Sequence, residues 1–165
     1  MEDEEPLDEL ETPAQELARL AAETVQAQAE APDPAAARTR CQRVLDMYAR
    51  GDLLEGRDYF HAAWVLLFGE TPAHYELSRT FARRATELGD ERGWTVVAMA
   101  WDRALVKSGK PQRFGTQIVK QGGRWSLGQV DERVTDTERA MYGVPPLFVQ
   151  QQRAQERQRQ EDLEE

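Results

Sequence analysis

The stretch that decides the fold is RGWTVVAMAWDRALVKSGKPQRFGTQ, Arg92 to Gln117. From Trp94 to Val106 only Thr95, Asp102 and Arg103 are polar. Trp94, Val97, Ala98, Trp101, Ala104 and Leu105 recur at helical spacing and make one face. Val96, Met99, Ala100 and Val106 cover most of the other side. A helix apolar all round is a buried helix, and this run is too short for a bilayer, which takes about 20 residues. The rest of the chain is therefore expected to pack around it.

Asp102 and Arg103 sit on that helix, and buried charges need a partner or hydrogen bonds. Adjacent helical residues point about 100° apart, so each needs a separate one. Gly109 and Pro111 stop the helix, and the returning segment supplies Gln112, Arg113, Thr116 and Gln117 around Phe114 and Gly115. These four with Asp102 and Arg103 are the candidate binding set. The plain alternative is a structural ion pair or cap followed by a polar loop. Arg103 is expected to pin the returning segment, at a cost of about 2–4 kcal/mol for Arg103→Ala.

Outward from this helix the start and stop signals define four more. Thr12-Pro13 with Gln15 opens one that reaches about Ala29. Asp33-Pro34 opens a second, ended by Gly51, with Cys41, Val44, Leu45 and Tyr48 as its apolar face. A third, nearly apolar throughout, covers roughly Gly56 to Phe68. Thr71-Pro72 caps a fourth, whose face is Leu77, Phe81, Ala82, Ala85 and Leu88 and whose outer side offers an Arg83–Glu87 pair. After Gln112 the period changes to two. Gln121-Gly-Gly-Arg124 reads as a hairpin turn that places Ile118 opposite Leu127 and Lys120 opposite Trp125. Thr135 to Glu138 is a capping box for a short helix.

The expected fold is mainly α. Tandem helix hairpins, about four core helices, carry a C-terminal β-hairpin near residues 114–130 and are flanked by disordered acidic tails. The single domain spans residues 12–147, after an acidic tail over 1–11 and before a polar, helical or disordered tail over 148–165.

Charge supports that division. The net charge is −9, but residues 1–11 hold seven acids and no base, and residues 152–165 hold five acids and three bases. Eighteen acids and eighteen bases remain between them. A neutral core with acidic tails argues against nucleic-acid binding. The M-E-D-E-E-P start is the opposite of a targeting peptide, and no apolar run reaches membrane length, so the expected compartment is the cytoplasm.

The chemistry available is sparse. One cysteine and two histidines exclude a disulfide framework and a cysteine-rich metal cluster, and no phosphate-binding glycine loop, H-E-x-x-H or nucleophile elbow occurs. No metal or cofactor is expected. His61 lies three residues after Asp58 on the third helix, where the carboxylate could orient its imidazole; a satisfied core histidine is the plainer account. His74 reads as a packing or capping residue, and the tryptophans, at helical spacing, read as core.

Two resemblances follow from these motifs. Pro72 and Pro111, 39 residues apart, resemble the period of tetratricopeptide or Sel1-like helical repeats. Tyr59-Phe60-His61-Ala62-Ala63, Ala82 to Gly89, Asp102-Arg103, the segment Gly109 to Gln117, Val130-Asp131, Thr135-Asp136-x-Glu138-Arg139-Ala140 and Val144-Pro-Pro-Leu147 resemble the DUF6624 group of bacterial proteins of unknown function, over about residues 56–147. That resemblance marks His61, Asp102, Arg103, Gln112, Gly115, Thr116 and Gln117 as a shared polar set. The chain departs from it at Leu67-Phe68-Gly69, where such sequences often read F-Q-H-G, and lacks their histidine near Arg79, which favours binding over catalysis. The expected function is a non-catalytic, helical-repeat-like module for a protein or a small polar ligand. The alternative is a small enzyme, such as a hydrolase, using His61 with Asp58 or Asp102 and a Gln/Arg clamp.

Overall fold

The computed structural model describes residues 10–165. Its helices are α1 (Pro13–Ala29), α2 (Pro34–Ala49), α3 (Gly56–Leu67), α4 (Pro72–Glu87), α5 (Gly93–Lys107), α6 (Asp136–Met141) and α7 (Leu147–Glu164), with strands β1 (Val119–Gln121) and β2 (Arg124–Ser126). The mainly helical architecture with a small antiparallel hairpin is the one expected. The acidic tail expected over residues 1–11 lies, except for Leu10 and Glu11, outside the described residues.

The starts form as their side chains dictate. Thr12 accepts from the Gln15 N–H while the Gln15 side chain accepts from the Thr12 N–H, closing the box at α1. Asp33, Thr71 and Thr135 cap α2, α4 and α6 through N–H groups two or three residues on. At α3 the contact runs the other way: Asp58, in the first turn, reaches back, and its Oδ2 accepts from the Leu54 and Glu55 N–H groups at 3.1 and 2.9 Å.

The hub of the packing is α3 rather than α5. Ala62, Ala63, Val65, Leu66 and Leu67 are all at most 1 % exposed, and α3 packs against α1, α2, α4 and α5. The α1 stripe of Leu17, Leu20 and Ala21 enters the same core, so the first helix docks. On α2 the buried face is Cys41, Val44 and Met47, whereas Tyr48 turns outward. Arg84, not Arg83, pairs with Glu87.

Helix α5 is apolar on two sides because it serves two cores. Val96, Val97 and Ala100 join the α3 core, and Ala98 joins a second cluster with Phe114, Val134 and Val144, against which Trp101 and Tyr142 pack. Its ends are open, with Trp94 and Val106 exposed. At its start it approaches α4 closely: a Cβ on Gly93 would lie 2.4 Å from the Ala82 carbonyl oxygen.

The hairpin has the expected register, Lys120 opposite Trp125, but its ladder is only three pairs long, Val119↔Ser126 to Gln121↔Arg124. Gly122 and Gly123 both have positive φ, as a tight hairpin turn requires. Ile118 and Leu127 fall outside the ladder; beyond them Gln112 bridges to Val130 in parallel. Such a short hairpin needs support, and α7 gives it. Ala154 and Gln158 are buried, and Gln158 Oε1 accepts from the Trp125 N–H at 2.7 Å. The Arg157 guanidinium lies 4.4 Å from the Trp125 ring centre. The polar C-terminal segment is therefore helical, held by polar contacts that leave almost no apolar signal in its sequence.

Candidate functional site

The polar set converges on the turn after α5, and Asp102 is its centre. Asp102 is fully buried. Its Oδ1 accepts from the Arg113 and Phe114 N–H groups at 2.7 and 3.0 Å. Its Oδ2 accepts from the Thr116 N–H and hydroxyl at 2.9 and 2.7 Å. Four donors saturate the carboxylate without any cation. The chain can wrap it this tightly because Gly115 adopts φ +77°, a left-handed conformation that glycine takes without strain.

Gln112 repeats the device. Only 1 % exposed, it donates from Nε2 to the Gln117 and Leu127 carbonyls at 2.8 and 2.7 Å and accepts at Oε1 from the Gln117 N–H. Arg139, also buried, locks the far side by donating to the Phe114 and Val134 carbonyls. Asp102, Gln112 and Thr116, expected to face a ligand, are instead the fastening of the 112–117 turn. Their polar atoms satisfy main-chain groups that no strand or helix serves. Nor is Arg103 the pin that its place in the sequence suggests. It reaches the turn through a single bond, Nε to Gln117 Oε1 at 3.1 Å, so Asp102 is the pin and Arg103 an accessory.

Three members of the set line surface openings: Gln112 touches a small one of about 240 Å³ beside Val119 and Leu127, while Arg113 and Arg103 reach openings on different sides of the turn. Arg113 lines an open groove of about 790 Å³ together with Trp101, Leu105, Lys110, Pro111 and residues 128–133. Its guanidinium lies 5.0 Å from the Trp101 ring centre, and that of Arg79 lies 3.9 Å from it. One arm of Arg113 donates to Glu138 at 3.2 Å, while its Nε is buried without a partner. Arg133 is tied to Asp131 at 2.9 Å. Arg103 faces the opposite side, over the Phe68 ring at 4.5 Å. Burial pulls its guanidinium below the ordinary value, with the nearby Tyr75 phenol opposing the shift.

The residues offered for catalysis are not brought together. The charges nearest His61 are Arg92, Asp58, Asp90 and Arg57, and Asp102 is not among them. Arg92 is the N-cap of α5 and Asp102 lies ten residues further along it, about 15 Å along the axis. Asp58 caps α3 and makes no hydrogen bond to His61, whose Nδ1 is buried without a partner. Burial first, and the Arg92 charge second, hold the imidazole below its ordinary range. His61 lines neither the groove at Arg113 nor the depression at Arg103. His74 is a capping residue, its Nδ1 accepting from the Glu70 N–H at 3.2 Å. Cys41 is fully enclosed, and burial pushes its thiol up to about 11.

The sequence places Arg79 on the outer side of α4 but does not show that it rests on Trp101, nor that Trp101 and Lys110 line a groove. Trp101 has the spacing of a core residue and is one on a single side only. The available signal was its position beside Asp102, whose loop had to fold back across it.

Fold and site together define a helical domain with a fastened turn and a groove that sets Lys110 and Arg113 beside Trp101, with Asp131 and Glu132 also in its lining. Comparison with known families, with curated proteins and with solved structures finds no match for the chain. Among the described residues no helix is long and apolar enough to cross a membrane, and no group of three or more His, Cys, Asp or Glu side chains is placed to hold a metal.

Proposed function

We propose that the chain is a non-catalytic binding module whose groove beside Trp101 receives a protein segment carrying a carboxylate next to an apolar side chain. The observation that carries this reading is the pair of guanidinium groups resting on the Trp101 ring at the edge of the groove. A planar guanidinium held on an aromatic face is already ordered, so it loses less freedom when it grips a carboxylate. Lys110 and Arg79 have no ion-pair partner among the described residues, while Trp101, Leu105, Pro111 and Val130 supply apolar wall. The volume falls within the range of about 300–1,000 Å³ common to ligand sites. An enzymatic reading lacks support from geometry, because Asp102 is saturated and His61 stands apart.

Calorimetric titration tests the proposal. Short peptides with Asp or Glu flanking Leu should bind, and the same peptides with Asn or Gln should bind at least about tenfold more weakly, the equivalent of one lost charge-assisted bond. Arg113→Glu with Lys110→Glu should abolish binding. Equal affinity for the acidic and amide peptides would refute the assignment.

A further inference from the structure

On the other side of the turn a smaller depression, about 150 Å³, lies between the α1–α2 connection, the end of α3 and α5. Arg40 and Arg103 both line it, with Phe68 as its apolar wall. The Nε of Arg40 is buried without a partner. Arg103 has one hydrogen bond, to a neutral amide, and the α5 carboxylate next to it is wholly engaged elsewhere. The two carboxylates at the rim are engaged as well: Glu70 pairs with Arg38 at 2.9 Å, and Asp33 caps α2 through the Ala35 N–H at 3.0 Å. Neither arginine has an ion-pair partner among the described residues. Two guanidinium groups share one small opening, one of them desolvated, and neither is paired with the Asp33 or Glu70 carboxylate at its rim.

Taking a cation out of water is costly unless an anion compensates it. Stacking on Phe68 offsets only part of that cost. An anion of two or more oxygens suits the fork of N–H groups that a guanidinium presents, and the opening has room for one such group. We infer that Arg40 and Arg103 form a second binding site, for a compact oxyanion, a carboxylate or a phosphate group. It shares no lining residue with the Trp101 groove, so it stands or falls independently of the function proposed above.

The test is thermal unfolding of the full chain with inorganic phosphate or with succinate, each against potassium chloride of equal ionic strength. At about tenfold over Kd, a ligand selective for the folded state should raise the midpoint by about 3–5 °C. A response to phosphate alone identifies a phosphate site, and a response to succinate alone identifies a carboxylate site. Arg40→Gln, at a half-buried position that should still fold, should weaken the response at least about tenfold in concentration, as loss of one charged partner implies. Arg103→Lys should weaken it too, because it keeps the charge but loses the fork. Arg84→Gln, on α4 and paired with Glu87 away from the depression, should leave it unchanged. No shift beyond the chloride control with either anion would overturn the inference, as would equal responses from wild type and Arg40→Gln.

Discussion

Replacing Asp102 by asparagine changes one atom and should be among the most damaging exchanges in the chain. The carboxylate is fully buried and accepts four hydrogen bonds of 2.7–3.0 Å, three from main-chain N–H groups. Asparagine keeps one oxygen for two of them and turns an NH2 group toward the others. If that group faces Thr116, the hydroxyl can rotate to accept from it, but the Thr116 N–H is left without an acceptor. A buried unpaired donor costs about 1–3 kcal/mol, and bonds to a charged group fall from about 1.5–3 to about 1 kcal/mol each when the charge is removed. The expected loss is about 3–5 kcal/mol, a large share of a stability of about 5–15 kcal/mol. Arg103→Ala removes one bond to Gln117 and the stacking on Phe68 but also relieves a desolvated cation, so it should cost only about 1–2 kcal/mol. That is less than its sequence position implied. Urea denaturation of both variants, followed by tryptophan fluorescence, measures the ranking. If Asp102→Asn loses under about 1 kcal/mol, or less than Arg103→Ala, the carboxylate is not the fastening.

His61 gives a pH signature. Its folded-state affinity for protons is lowered by burial and by Arg92, so the unfolded chain protonates first as pH falls. Stability should be full above the unfolded value of about 6.5 and decline as pH falls below it toward the lower folded one; His61→Gln should flatten that slope, and an unchanged slope would remove His61 as its source. Cys41, its thiol raised to about 11 and its Sγ donating to the Val65 carbonyl, should resist thiol reagents in the native protein and react fully in denaturant; rapid native labelling would place it at the surface. Gly93→Ala would set a methyl 2.4 Å from the Ala82 carbonyl oxygen, forcing α4 and α5 apart at a cost of about 1–3 kcal/mol, against which a neutral result in thermal unfolding would count.

Much of the fold was legible because its signals are local. Thr12, Asp33, Thr71 and Thr135 cap the helices their sequence context marks, and Gly122-Gly123 sets the hairpin register. The centre of the bundle was not legible. Trp94 to Val106 and Gly56 to Phe68 are both mostly apolar, and periodicity cannot say which is wrapped by helices and which by a loop. The site was half legible. That Asp102 and Gln112 to Gln117 belong together follows from their nearness to a helix end. Which of them face inward depends on main-chain donors, and the sequence does not display those. Arg40 was silent, since only the docking of the α1–α2 connection brings it beside Arg103.

The most direct test of the groove is the indole N–H resonance of Trp101 in a two-dimensional NMR titration with an acidic, leucine-containing peptide. The assignment comes from the spectrum of Trp101→Phe. The expected result is a saturable shift of Trp101, with Trp64 and Trp125 unmoved, that disappears in Arg113→Gln. A Trp101 resonance that stays fixed while the peptide binds, or one that shifts equally in Arg113→Gln, would contradict the account.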